Sequence, residues 1–341
     1  MFKKYYMKIV AVLLSVVFLC NASLYSYPDS CPVSKDTLRV PVATRSVVSR
    51  IEEYYDVCSG DYMHYWSPGY GHLHFGYWER GMRLFGMSAR EEMGSRMNQE
   101  VMDRLNLKPE TNATAVDLGC GVGSTARHIA EKDSRVKVAG LTLSLEQVRI
   151  GNKKSVVEGL YDRVVLMVGD YTSIPFGNNT VEAAYAIESS CYAVDKADLI
   201  REAYRVVAPG GRFVVSDGFR KHSRKLPRIL DICYRAWCKG WAIPNLADID
   251  QFRKDLEETG FIDVEVEDFS WNIMPSAVAH SLGMIFYHVV LNLFHGNWKF
   301  FKERILMKSA VGGLMMAILG IIPIHFGYYI VTATKPRGYR G

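Results

Sequence analysis

The residues best suited to chemistry form one short glycine-rich run, Val116-Asp117-Leu118-Gly119-Cys120-Gly121-Val122-Gly123. Glycine allows a tight turn and lets the backbone approach a ligand where a β-carbon would collide with it. A predicted helix follows, and its first turn has N–H groups without a partner inside the helix. The run therefore predicts a ligand site whose loop contains Gly119, Gly121 and Gly123.

Asp117 indicates which class of ligand this loop favours. In a nicotinamide or flavin enzyme a loop of this kind holds a pyrophosphate, which a carboxylate just before the glycines would repel. The same carboxylate suits the ammonium group of an amino-acid moiety. The motif therefore favours S-adenosylmethionine as the ligand, and a glycine-rich turn without a ligand is the alternative.

The elements around this loop alternate between strands and helices. The predicted strands are Thr114–Leu118, Val136–Thr142, Val164–Val168, Val181–Ile187, Arg212–Ser216, Phe261–Val266 and Tyr328–Thr334. The helices predicted between them are Ser124–Glu131, Leu145–Glu158, Lys196–Val207 and Ile249–Thr259. Such alternation implies a parallel sheet covered on both faces. The predicted fold is a seven-stranded, Rossmann-like α/β sheet with a helical cap and apolar C-terminal helices.

This pattern resembles the class I S-adenosylmethionine-dependent methyltransferases over roughly residues 50–336, and within them the sterol C-24 and tocopherol methyltransferases. The resemblance assigns Thr142 and Gln147, after the second strand, to the methyl donor. It also assigns Asp170 to the adenine amine, with Tyr171 in the same cofactor site. A turn role is the alternative for Asp170.

The aromatic stretch Tyr54–Trp78 resembles the N-terminal signature of sterol, tocopherol and some sugar O-methyltransferases. We expect Tyr55, Tyr65, Trp66 and Phe75 to bind the acceptor. Aromatic faces stabilise a cation by about 0.5–2 kcal/mol each, which suits the carbocation that forms when an alkene is methylated. The alternative is a lid whose aromatic residues only pack in the core.

The segment Tyr185–Ala193 is similar to one in sterol methyltransferases where a Cys-His pair follows an acid. Glu188 and Cys191 match the acid and the cysteine, but Tyr192 replaces the histidine. Related sugar O-methyltransferases carry histidine at both positions and use one as a base. The departure therefore favours methylation at carbon.

Methylation of an alkene still requires a group that removes a proton afterwards. The candidate catalytic residues are Glu188, Asp217, Tyr192 and His74, with His72 as a further possibility. For either histidine, a structural hydrogen-bonding role is the alternative.

We therefore predict a C-methyltransferase of a large isoprenoid lipid, a sterol or triterpenoid. The alternatives are a tocopherol-type aromatic C-methyltransferase, a small-molecule O- or N-methyltransferase, and a donor-binding lipid protein without catalysis.

Charge and cysteine content limit the classes of molecule that this chain is expected to bind. The net charge of +5 over 341 residues permits contact with an anionic membrane but is too mild to indicate a nucleic-acid binder. The seven cysteines are odd in number and irregularly spaced, without a Cys-x-x-Cys, so we expect neither a disulfide framework nor a metal site. We expect a lipophilic small-molecule substrate, and the oligomeric state stays open.

The domain boundaries follow from composition. Residues 1–24 form a signal-like or anchoring segment with a basic start and a short apolar run, and residues 25–45 form a linker. Residues 46–341 form the methyltransferase domain, with cap elements at 46–105, 218–247 and 275–324.

The region 298–324 combines a basic amphipathic stretch, Trp298–Lys308, with the uncharged run Ala310–Ile324. This combination predicts contact with a membrane interface. The alternative is that these helices cap the active site and bury their apolar faces in the protein. We expect a membrane-associated enzyme whose catalytic domain faces a compartment that contains the methyl donor.

Overall fold

The computed structural model describes residues 42–61, 63, 69–107, 112–285, 304–321 and 324–337. The chain divides into two compact units, Met1–Arg45 and Ser46–Gly341, and the second contains the sheet. The predicted acceptor residues Tyr65 and Trp66, the signal-like segment 1–24 and residues 298–303 lie outside the described residues.

One mixed sheet organises the described residues. Its strands are β1 (Ala113–Leu118), β2 (Val136–Thr142), β3 (Val164–Val168), β4 (Val181–Ile187), β5 (Val207–Arg220), β6 (Ile262–Asp268) and β7 (Phe326–Thr334). Their spatial order is β3-β2-β1-β4-β5-β7-β6. The strands β1 to β5 are parallel, and β7 runs antiparallel between β5 and β6. The predicted seven-stranded Rossmann-like fold is confirmed.

Helices flank the sheet and build the cap. They are α1 (Val42–Asp61), α2 (Met87–Leu105), α3 (Ser124–Lys132), α4 (Leu145–Val157), α5 (Lys196–Val206), α6 (Arg228–Gly240), α7 (Ile249–Thr259), α8 (Ser270–Ile285) and α9 (Arg304–Ile321). The Asp248 side chain caps α7 by accepting from two backbone N–H groups, and Gly260 ends this helix with a φ of 109°.

The strand β5 is longer than the sequence indicated. The prediction Arg212–Ser216 covers only its middle, whereas the strand runs from Val207 to Arg220. Antiparallel pairing with β7 continues to Arg220 and holds residues 217–220 in the sheet, while Val207 pairs with Val181 of β4. The pairing with β7 depends on a segment more than a hundred residues away, which a local pattern does not show.

A cluster of buried apolar side chains joins the middle of the sheet to α5 and α7. It contains Phe213 and Phe219 from β5, Leu199 from α5 and Phe252 from α7. The rings of Phe219 and Phe252 meet edge to face, with centroids 5.2 Å apart. This packing fixes the carboxyl ends of β1, β4 and β5, where parallel sheets place their ligands.

The helix α9, which contains the first part of the uncharged run Ala310–Ile324, packs against α6 and α8. Its side chains from Leu314 to Leu319 are buried in the protein, as the alternative reading of this region had it. The approach to α6 is very close, because a β-carbon on Gly240 would lie 2.8 Å from the Cα of Gly312. None of the helices in the described part is long and apolar enough to span a membrane.

Candidate active site

The glycine loop after β1 forms a cradle that no other residue type would fit. Gly119, Gly121 and Gly123 have φ values of 89°, 53° and 75°, in the region that favours glycine. A β-carbon on Gly119 would lie 2.3 Å from the β-carbon of Ser189, and one on Gly121 would lie 2.9 Å from Leu73 Cδ1. The backbone conformation and the close packing of the loop therefore both require glycine at these positions.

Asp117 lies near the end of β1 and is buried, with 3% of its surface exposed. Burial raises its pKa to about 7, and the nearby hydroxyl of Tyr185 acts in the opposite direction. No ion pair among the described residues involves Asp117. A ligand cation would therefore stabilise the carboxylate at this position.

Thr142 and Gln147 form a polar pair where β2 leads into α4. The Thr142 hydroxyl donates to Gln147 Oε1 over 2.5 Å, and the Ser144 hydroxyl accepts from the Gln147 backbone N–H over 3.2 Å. Gln147 is 2% exposed, and its Nε2 has no hydrogen-bond partner among the described residues. A buried donor without a partner is costly, so this amide fits a ligand that brings an oxygen acceptor.

Asp170 and Tyr171 follow β3. One carboxylate oxygen of Asp170, Oδ1, accepts from the backbone N–H and the hydroxyl of Thr172 over 2.8 Å and 2.7 Å. This is the turn role given above as the alternative, and it uses only one of the two oxygens. The Tyr171 hydroxyl donates to the Ser189 carbonyl over 2.8 Å, which holds its ring beside Gly119.

A large apolar cavity adjoins the glycine loop, with an empty volume of about 1130 Å³ including the space at its mouth. Leu73 lines the cavity and also lies against the loop at Gly121, so the cavity borders the glycine loop. Seven aromatic side chains line the walls: Tyr55, Phe75, Tyr192, Trp237, Trp241, Phe326 and Tyr328. Apolar walls with a few polar groups are typical of sites that bind small molecules.

Glu188 is one of two carboxylic acids on this cavity. It follows β4 with a φ of 48°, and its Oε1 accepts from the Phe75 backbone N–H over 2.7 Å and from the Tyr328 hydroxyl over 3.0 Å. Burial raises its pKa to about 8, and the negative charge of Asp217 adds to the rise. Glu188 can therefore exchange a proton near neutral pH.

Asp217, in β5, is the second acid and is more firmly held. Its Oδ2 accepts from the Ser190 hydroxyl over 2.6 Å and from the Cys191 N–H over 2.9 Å, and its Oδ1 accepts from the Gly218 N–H over 2.7 Å. Burial raises its pKa, while these hydrogen bonds act in the opposite direction. Its bonds organise the turn that carries Glu188.

Tyr192 lines the cavity as an aromatic wall. Its ring meets that of Tyr55 edge to face, with centroids 5.5 Å apart. Burial raises the pKa of Tyr192 well above its usual value, so the phenol stays protonated at neutral pH. The predicted role of Tyr192 as a proton acceptor does not fit this environment, whereas a role for its π face does.

The structure does not bring His74 to the cavity, contrary to its prediction as a base. Its Nδ1 lies 2.9 Å from the Phe75 carbonyl and its Nε2 lies 2.9 Å from Asn98 Oδ1. Asn98 also accepts from the Thr125 hydroxyl over 2.8 Å. His72 stacks on Tyr70, and burial lowers its pKa to about 2. Both histidines hold the aromatic segment against α2 and α3, the structural alternative.

The helix α1 contacts both halves of the site. Asp56 accepts from the Ser144 hydroxyl over 2.5 Å, next to the polar pair Thr142 and Gln147. One residue earlier, Tyr55 lines the apolar cavity. The sequence had indicated Tyr55 but had not indicated Asp56, and nothing in an exposed acid on an amphipathic helix distinguishes it.

Four aromatic residues of the cavity had not been predicted individually: Trp237, Trp241, Phe326 and Tyr328. The first two belong to the stretch 218–247, whose richness in aromatic residues is visible in the sequence. The other two lie at the start of β7, where apolar residues are expected in any buried strand. Only the antiparallel insertion of β7 brings them to the cavity.

Comparison with known proteins identifies the family. Residues 116–215 match the family described as "Methyltransferase domain". The O-methyltransferase cnsE of Penicillium expansum is 31% identical over 211 residues, which cover 60% of this chain and 71% of that protein. This chain is a class I S-adenosylmethionine-dependent methyltransferase. The glycine cradle, the buried Asp117 and Gln147 Nε2, which has no hydrogen-bond partner among the described residues, all fit that donor.

The methyltransferase also resembles enzymes named for tocopherol and sterols. Tocopherol O-methyltransferase, chloroplastic, from Arabidopsis thaliana is 26% identical over 307 residues, which cover 86% of this chain and 84% of that one. Sterol 24-C-methyltransferase from Yarrowia lipolytica is 30% identical over 219 residues, covering 64% and 54%.

A solved structure supports the fold of the methyltransferase. Geranyl diphosphate C-methyltransferase from Streptomyces coelicolor A3(2) superposes with a TM-score of 0.64 at 18% identity, covering 86% of this chain and 100% of that one. At this identity the match shows the shared fold alone.

Proposed function

We propose that this methyltransferase methylates a carbon atom of a large isoprenoid lipid, a sterol or triterpenoid. The observation that carries the proposal is the cavity beside the donor loop, whose apolar and aromatic walls enclose two carboxylic acids. An elongated, apolar acceptor would bury most of its surface in such a cavity. A small polar acceptor would leave most of the walls uncovered.

The positions of Asp117, Gln147 and the glycine loop support the proposed site for the methyl donor. When bound, S-adenosylmethionine supplies a methyl group on a positively charged sulfur. The Asp117 carboxylate is positioned to pair with a ligand ammonium, and the Gln147 amide is positioned to donate to a ligand hydroxyl. The glycine loop lets the backbone approach the same ligand. Among the described residues the side-chain hydrogen bonds of Asp170 use Oδ1, which leaves Oδ2 for an amine.

The acceptor side supports chemistry that passes through a cation. Tyr55, Tyr192 and Trp241 line the space, and an aromatic face stabilises a desolvated cation by about 0.5–2 kcal/mol. Glu188, with its pKa of about 8, is the proposed acceptor of the proton that leaves afterwards. Asp217 is a positioning residue, since its three hydrogen bonds fix the turn beside Glu188.

A prenylated aromatic ring of the tocopherol type is the second candidate acceptor. The similarity to the Arabidopsis thaliana enzyme favours it, since the match covers most of both chains. The same cavity accommodates a ring bearing an apolar tail, and Glu188 can take the ring proton after methylation at carbon.

The decisive experiment incubates the enzyme with deuterium-labelled S-adenosylmethionine and a lipid extract, followed by mass spectrometry of the products. We expect label on a carbon of a sterol, a triterpenoid or a prenylated ring. The control is a Gly119→Val variant, which blocks the donor loop. Product that carries its label only as a methoxy or N-methyl group would overturn the proposal.

We also infer that residues 1–24 deliver or anchor the enzyme at a membrane, in a compartment that supplies the donor. The basic start and short apolar run of this segment support the inference. Flotation of the full-length chain and of a chain lacking residues 1–24 tests it. Equal flotation of the two would contradict it.

A further inference from the structure

We propose that the exposed face of α6, together with the loop before it, docks the enzyme on an anionic membrane surface. This docking face consists of Arg224, Lys225, Arg228, Ile229, Ile232, Arg235 and Lys239, all of which are exposed. The proposal goes beyond the reaction and beyond the N-terminal segment, and it commits to a lipid bilayer as the partner.

Charge is concentrated in this segment to an unusual degree. Residues 220–240 contain seven of the 41 Lys and Arg residues and one of the 36 acidic residues, Asp231. The remaining chain therefore has 34 basic and 35 acidic residues, so the positive net charge of the protein comes from these 21 positions. A local excess of this size attracts an anionic surface, while the rest of the protein is nearly neutral.

The spacing along α6 places cations and apolar side chains on one side of the helix. Arg228, Ile232, Arg235 and Lys239 follow one another at intervals of three or four residues, which brings them onto one face. Ile229 and Ile232 are 57% and 39% exposed there. Basic residues that surround exposed aliphatic side chains are typical of helices that lie in a membrane interface.

The opposite face of α6 belongs to the active site. Cys233, Trp237 and Cys238 are buried, and Trp237 lines the acceptor cavity. The Trp237 ring also meets that of Phe326, another cavity residue, with centroids 6.4 Å apart. The proposed membrane contact and the cavity wall are therefore separated by the thickness of one helix, about 10 Å.

A bilayer fits this face better than a polar polyanion does. Ile229 and Ile232 gain free energy by leaving water for the acyl boundary, while arginine and lysine side chains extend to the head groups. A nucleic acid or an acidic protein would neutralise the cations but would leave the isoleucines without an apolar partner. Those partners are alternative outcomes of the test.

The test measures binding of the full-length chain to vesicles that contain no acceptor, so it does not depend on which lipid is methylated. Vesicles of phosphatidylcholine with about 30% phosphatidylserine are compared with vesicles of phosphatidylcholine alone. Exchanging Arg224, Lys225 and Arg228 for glutamine should weaken binding to the anionic vesicles at least about tenfold, because three cations no longer attract the lipid head groups.

The matched control removes three exposed lysines elsewhere: Lys137→Gln, Lys153→Gln and Lys254→Gln. It should bind the anionic vesicles like the unmodified chain. Methyl transfer to a detergent-dispersed acceptor should be unchanged in both triple variants, because none of these side chains lines the cavity.

Hydrogen–deuterium exchange locates the contact independently of the N-terminal segment. Vesicle binding should slow amide exchange in residues 221–228. Vesicle-bound enzyme without protection in this stretch would overturn the proposal. Equal binding to neutral and anionic vesicles, or a glutamine variant that binds as tightly as the control, would overturn it too.

Discussion

The hydroxyl of Tyr328 donates a hydrogen bond to Glu188 over 3.0 Å, joining the start of β7 to the end of β4. The Tyr328 hydroxyl in turn accepts from the Ser216 hydroxyl over 3.1 Å. The Phe75 N–H also donates to Glu188, so residues from three separate parts of the chain hold this side chain in place. Its side chain faces the acceptor cavity with a defined orientation, which a proton acceptor requires.

Replacing Glu188 by glutamine should lower turnover at least about 100-fold, the usual contribution of a positioned base. The affinity for the donor should stay within about twofold, because Glu188 lies on the acceptor cavity. The unmodified enzyme should gain activity as the pH rises through about 8, where the carboxylate forms. Steady-state kinetics across pH measure both effects.

The control for that experiment is Tyr328→Phe, which removes one hydrogen bond to the carboxylate. The loss should raise the pKa of Glu188 and move the activity profile to higher pH. A Glu188→Gln enzyme that keeps the alkaline rise would exclude Glu188 as the titrating group.

Replacing Asp117 by asparagine should weaken donor binding about tenfold or more, since a charge-assisted hydrogen bond is worth about 1.5–3 kcal/mol. The free carboxyl has a pKa of about 7, and a cationic ligand favours its ionised form. Donor affinity of the unmodified enzyme should therefore rise between about pH 6 and pH 8, and the asparagine variant should lose this rise. Calorimetry with equal affinities at both pH values would contradict the assignment.

Gln147→Met should weaken donor binding by about fivefold, because the ligand loses a hydrogen bond of about 1 kcal/mol. Methionine keeps the length of the side chain and removes its donor. The matched control is Asn152→Met on the same helix, whose amide bonds to Leu166 of β3 and not to the donor site. A control that weakens donor binding as much as Gln147→Met would point to a general disturbance of α4.

Asp56→Ala should speed dissociation of the donor, because it breaks the bond between α1 and Ser144 beside Gln147. Stopped-flow displacement measures the rate, and we expect an increase of about threefold to tenfold from a bond of about 1 kcal/mol. Glu52→Ala removes an exposed acid from the same helix and should leave the rate unchanged. If both variants release the donor at the original rate, α1 does not retain it.

Much of the fold could be predicted from the sequence, because its strands are short apolar runs between clear turns. The predicted bounds of β2, β3, β4 and α7 agree with the structure. The site was harder to predict, because its residues lie far apart in the sequence and come together only in the folded chain. A histidine in an aromatic segment looks the same in sequence whether it faces a ligand or the interior. For His74 the position of Asn98, on the helix α2, makes the difference.

The insertion of β7 between β5 and β6 has a consequence for how the enzyme is made. Among the described strands, β6 pairs only with β7, although it is synthesised first. A nascent chain therefore emerges with β6 unpaired and with Glu188 lacking Tyr328, so the proposed proton acceptor is incomplete until β7 inserts between β5 and β6. Non-local strand pairing of this kind forms slowly, and the unpaired strand edges are prone to aggregation until it is complete.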